Sequence, residues 1–153
     1  MPNFGVFPQT TVLINQGTIT TNATTAALTL PPAQSYRVIV QVNTVSGTSP
    51  TLVTSLATSF DGGSTYNEFI STSSVTTSGA GRQLLIRPYL GIGDAATEAA
   101  CTLLGTADLA AAVVNNGPIN PQFIKVRFVV SGTSPSFGAV TVGIIALPQD
   151  ASE

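Results

Sequence analysis

Val45-Ser46-Gly47-Thr48-Ser49-Pro50 recurs as Val130-Ser131-Gly132-Thr133-Ser134-Pro135, and both copies lie between segments rich in β-forming residues. A polar Gly/Ser/Thr/Pro run between apolar runs reads as a hairpin connection. Pro50 and Pro135 support this, because proline cannot continue the ladder of a central strand. On this reading Gly47, Pro50, Gly132 and Pro135 are turn residues, and the chain is all-β. Around the first copy, Val38, Val40 and Val42 alternate with Arg37, Gln41 and Asn43, and Leu52, Leu56 and Phe60 alternate with Val53, Ser55 and Ser59. These predict one strand in and one strand back. Around the second, Ile124, Val126, Phe128 and Val130 run in, and Phe137 to Ile144 run out.

The copies stand 85 positions apart, Ser46 against Ser131. Two explanations are open, recurrent turn chemistry and internal duplication. Aligned on the hexapeptides, Val38, Val40 and Val42 fall opposite Phe123, Lys125 and Arg127. A one-residue slip exchanges inside and outside, so this mismatch favours recurrent turn chemistry.

Working outward, Thr10 to Leu30 predicts two or three short strands, broken at Asn15-Gln16-Gly17 and Thr21-Asn22 and stopped by Pro31-Pro32. Ser71 to Gly81 reads as a loop. Residues 88–121 differ in composition, with Ala-rich stretches and Asn115-Asn116-Gly117-Pro118 resembling a helix stop. They read as an insertion carrying one short helix at 107–114 and a strand near 99–104. The expected layout is an N-terminal arm over 1–9, one antiparallel β-sandwich or jelly-roll domain over 10–148, and a loose tail over 149–153. A chain of 153 residues suits one domain that buries about two-thirds of its unfolded surface.

Only 8% of the residues are charged, against 43% hydrophobic, and mean hydropathy is +0.37. A typical soluble domain carries roughly 25% charge, so this chain must show Ser and Thr to water, bury surface against partners, or both. The net charge of −2 and the scatter of Arg37, Arg82, Arg87, Lys125 and Arg127 argue against nucleic acid as a partner. Lys125 and Arg127 alone share a strand face, as a solvated or edge-protecting pair or as an inter-subunit ion pair. No apolar run approaches the roughly 20 residues of a membrane span, and no signal-peptide pattern opens the chain. The expectation is synthesis in a cytoplasm with no membrane partner.

The chain has no histidine and one cysteine, Cys101. Ser-His-Asp and Cys-His catalysis, His-containing metal sites and thiolate clusters are therefore excluded. Asp61 with Glu68, or Asp94 with Glu98, would be the carboxylate pairs left for acid/base chemistry, with isolated surface acids as the plainer reading. Gly91-Ile92-Gly93-Asp94 lacks the third glycine and the βαβ context of a dinucleotide loop. No catalytic, cofactor-binding or metal-binding residue is assigned.

The most specific local motif is Ser59-Phe60-Asp61-Gly62-Gly63-Ser64-Thr65-Tyr66. It resembles the Asp-box, Ser/Thr-x-Asp-x-Gly-x-Thr-aromatic, of β-hairpins in sialidases and many secreted β-proteins. The resemblance implies Asp61 as acceptor of turn amides, Gly63 as the backbone pivot and Tyr66 as the packed ring, with Tyr in place of the usual Trp or Phe. A calcium site at Asp61 and a glycan contact at Tyr66 are minor alternatives.

The Gly-Thr-Ser-Pro elements, the Asp-box and the terminal Val-Ser-Gly-Thr-Ser-Pro-Ser-Phe stretch together resemble small virion proteins of tailed bacteriophages, over Tyr36 to Leu147 with 88–121 interrupting. That resemblance implies a head decoration or cement protein that binds the major capsid protein, bridges capsomers and assembles as a homo-oligomer, commonly a trimer. It places the chain in the virion. Phe4, Val6 and Phe7 of the arm, together with the insertion, are the expected contacts. The alternatives are a tail, neck or fibre-base component, and a carbohydrate-binding module for host attachment. The last is disfavoured by the absence of Trp and by only three Tyr.

Overall fold

The structure, a computed structural model, describes residues 11–87, 113–115 and 119–147. Over them the chain forms eight strands and no helix: β1 (Thr11–Ile19), β2 (Ala23–Thr24), β3 (Ser35–Gln41), β4 (Thr44–Thr58), β5 (Asn67–Ser71), β6 (Gly81–Ile86), β7 (Val113–Asn115) and β8 (Ile124–Leu147). The β-branched and aromatic content of these segments suits a pleated, half-buried surface.

One long strand organises the rest. Residues 35–58 run antiparallel along β8 from Ser35 opposite Leu147 to Thr58 opposite Ile124. The opposite edge of β8 takes β1, from Thr11 opposite Ile145 to Ile19 opposite Phe137, and β2 at Phe128 and Arg127. At one end β6 adds to β3 and β7 joins β6 in parallel, while at the other end β5 adds to β4. The hydrogen-bonded order is therefore β5-β4-β8-β3-β6-β7. Its two end strands, β5 and β7, approach each other, so the sheet nearly closes into a barrel.

Both halves pack on one core. Val38 and Val40 of β3, Leu52 and Leu56 of β4, and Phe128 and Val142 of β8 are fully buried in a single cluster. Paired residues share a face, so Val38 with Ile144, Val40 with Val142 and Leu56 with Val126 turn the same way. The fold is the expected all-β antiparallel sandwich.

The strand connectivity differs from the hairpin reading. The two hexapeptides are not hairpin ends but lie in mid-strand and pair with each other, with Ser46 opposite Ser136, Thr48 opposite Thr133 and Thr51 opposite Ser131. Gly47, Pro50, Gly132 and Pro135 are consequently residues of paired bulges. The strand before Gly47 and the strand after Pro50 run collinearly along β8 instead of folding back on each other, and Ile124 to Leu147 is one strand. Phe60 lies beyond β4 in a loop. In the 88–121 insertion, Val113 and Val114 are extended, at the end of the stretch read as a helix; 107–112, the strand expected near 99–104, the arm 1–9 and the tail 149–153 lie outside the described residues.

The paired hexapeptides are locally two-fold symmetric. Gly47 and Gly132 have φ of 113° and 116°, and Ser49 and Ser134 have φ of 49° and 48°. A Cβ on Gly47 would meet the carbonyl oxygen of Ser134 at 2.7 Å, and one on Gly132 that of Ser49 at 2.7 Å. Each glycine thus lets the other strand approach.

Candidate functional site

The loop between β4 and β5 is built on one carboxylate. Asp61 Oδ1 accepts the backbone N–H of Ser64 at 3.0 Å and of Thr65 at 2.9 Å, and the Ser59 hydroxyl at 2.7 Å. Its Oδ2 accepts the Thr65 hydroxyl at 2.6 Å. Ser59 is buried, and its Oγ also accepts the Gly63 N–H at 2.9 Å, so the loop closes from both sides. Gly62 and Gly63 supply positive φ of 73° and 92°. The Thr65 hydroxyl first, then the Thr65 amide, the Ser59 hydroxyl and the Ser64 amide, hold the Asp61 carboxyl far below the usual carboxylate range.

Tyr66 leaves this turn half-buried, with Lys125 Nζ of β8 4.2 Å from its ring centroid, a cation–π contact. Gly63 packs close to Phe123, whose Cδ1 would be 3.1 Å from an added Cβ. The turn is thereby fastened to the start of β8. Next to it Glu68 Oε1 accepts Arg127 Nη1 at 2.5 Å, across the intervening β4. Both side chains are more than 40% exposed.

These contacts decide what the site can do chemically. Asp61 is committed to the turn and Glu68 to Arg127, so the two do not form a carboxylate pair. Four donors fall on Asp61, and among the described residues no group of three or more metal-ligating side chains lies together. Phe60 is 64% exposed, in contrast to the packed Tyr66.

Phe4, Val6, Phe7, Cys101, Asp94 and Glu98 lie outside the described residues. Two features were missed from sequence. Lys125 shares a strand face with Arg127, but its neighbour in space is Tyr66, and no sequence signal joins positions 59 apart. Leu13 is 70% exposed on β1, and here a signal existed: Val12, Leu13 and Ile14 are consecutive, so an apolar side chain must fall on each face of a strand. Comparison with protein-family models, with characterised proteins and with solved structures returns no match.

Proposed function

We propose that the chain is a non-enzymatic structural protein of a virion, decorating the outer face of a shell and bridging its capsomers. The observation that carries this is the shortage of charge, 8% of residues, on a rigid β-sandwich whose exposed mid-strand ribbon is Ser, Thr, Gly and Pro. A surface of this kind resists water poorly with charge and is suited to burial against neighbouring subunits. Asp61, Glu68, Arg82, Lys125 and Arg127 make contacts within the fold, to turn amides, to each other, to backbone carbonyls or to a ring, which fits a mechanical part. The partners on this reading are the major capsid protein and further copies of the chain. Binding only the assembled shell would stabilise it by mass action.

The test is the copy number of this chain, by quantitative mass spectrometry, in particles purified from its source. A number within a few-fold of the most abundant shell protein supports decoration. A handful of copies moves the chain to the tail, neck or fibre base. Absence from particles overturns the virion role and favours a carbohydrate-binding module, for which the exposed Phe60 beside the Asp61 turn is the specific feature.

A further inference from the structure

Among the described residues β1 is the longest open edge of this sheet. One side pairs with β8, and among the described residues no strand pairs with the other. The end strands β5 and β7 face each other, and the ribbon of the two hexapeptides is interrupted by positive-φ bulges. β1 carries few of the devices that keep an edge from pairing. It has no proline and no lysine, and the whole stretch from residue 1 to residue 36 contains no charged side chain. The bulges at Asn15 to Gly17 and Gly17 to Ile19 protect only its second half. Thr11 to Asn15 keeps an unbroken register.

That regular half, Thr11-Val12-Leu13-Ile14-Asn15, is self-complementary. Laid antiparallel on itself about Leu13, it sets Leu13 against Leu13, Val12 against Ile14 and Thr11 against Asn15. Val12 and Ile14 are half-buried against the core on the inner face, and Leu13 stands 70% exposed on the outer face. The pairing covers the apolar residues of both faces at once, sets polar against polar at its ends, and satisfies the outward backbone groups of both edges. No other partner is required to explain an uncharged edge with this pattern.

We infer that two copies of this chain join edge to edge through β1, antiparallel about a two-fold axis at Leu13, making one continuous sheet of β6-β3-β8-β1 and its symmetry mate. This is an isologous interface, and it departs from the three-fold assembly implied by resemblance to decoration proteins. It stands independently of the virion role.

Sedimentation of the full chain tests it. The expected result is a two-chain mass for the wild type and a one-chain mass for Leu13→Lys at the same concentration, the variant keeping a cooperative thermal transition because Leu13 is 70% exposed within one chain. A one-chain or three-chain wild-type mass overturns the inference, as does a two-chain mass for Leu13→Lys. The register is tested separately with Leu13→Cys in a Cys101→Ser background. Directly opposed residues of antiparallel strands lie about 4.5–5.5 Å apart at Cα, within the span a disulfide bridges. Oxidation should give a covalent dimer for Leu13→Cys and none for Phe60→Cys, the other exposed large apolar position; a folded Leu13→Cys that does not cross-link refutes pairing at Leu13.

Discussion

Two regions of this molecule look alike in sequence and behave in opposite ways. Both Ser59 to Tyr66 and the Val-Ser-Gly-Thr-Ser-Pro hexapeptides are short, polar and glycine-bearing, and both place residues at positive φ. The first is a closed loop because Asp61 and Ser59 supply acceptors for its own amides. The hexapeptides have no such local acceptor. Their positive-φ residues make bulges, and each copy finds its backbone partners in the other copy, 85 positions away. Glycine and serine permit a bend, but only a local acceptor makes the chain turn back there.

Alanine at one glycine of each region separates the two cases, and the largest effect belongs to the hexapeptides. Gly62, with φ of 73°, has nothing within 4 Å of an added Cβ, whereas Gly47 would drive its Cβ against the Ser134 carbonyl and the Pro135 Cα at 2.7 and 3.0 Å. Gly62→Ala should cost about 1 kcal/mol, the strain of a left-handed residue alone. Gly47→Ala and Gly132→Ala should each cost about 3 kcal/mol, strain and backbone displacement together. Urea denaturation of the three variants measures this. Equal losses at Gly47 and Gly62 would mean that the close cross-strand approach has no energetic weight.

The Asp61 loop should respond to acid. A carboxyl held below its ordinary value contributes stability above the unfolded pKa, roughly 3.9, and loses it progressively as pH falls from there toward the lower folded value. Melting temperature against pH should therefore show the wild type above Asp61→Asn at neutral pH, with the gap narrowing below about pH 4. The midpoint difference at neutral pH should be smaller than that caused by Gly47→Ala, because the Asp61 loop is exposed and the fold's long pairing survives without it. A gap that stays constant to the most acid pH tolerated would detach the stability of the turn from the charge on Asp61.

How far the sequence disclosed this structure follows from the distance over which each interaction acts. The Asp61 acceptor pattern spans seven residues and was legible, and so was the strand at Val38, Val40 and Val42, where alternation is uninterrupted. The partner of the hexapeptide was not, because a bulge and a turn draw on the same residues and the repeat does not say whether its copies meet. Faces beyond the second hexapeptide were not legible either: Phe137 is buried at an odd position while Val140, Val142 and Ile144 are buried at even ones, because Ala139, at φ of 49°, shifts the alternation. Counting faces through such bulges from sequence alone loses the register.

The smallest effect should come from the ion pair that lies between the two regions. Glu68 follows the Asp61 loop on β5, and Arg127 precedes the second hexapeptide on β8, so their contact spans β4 beside both. Its geometry is close, yet both side chains are nearly half exposed, where water and salt offset most of the attraction. Exposed pairs contribute about 0.2–1 kcal/mol, and a double-mutant cycle of Glu68→Gln and Arg127→Gln should return a coupling in that range that falls as salt is added. The loop is already closed by Asp61 and the hexapeptides by each other, so neither region needs the pair to keep its shape. A coupling above about 2 kcal/mol that persists in high salt would instead make the two regions one cooperative unit joined across β4, and the contrast between a self-sufficient loop and a mutually dependent ribbon would have to be abandoned.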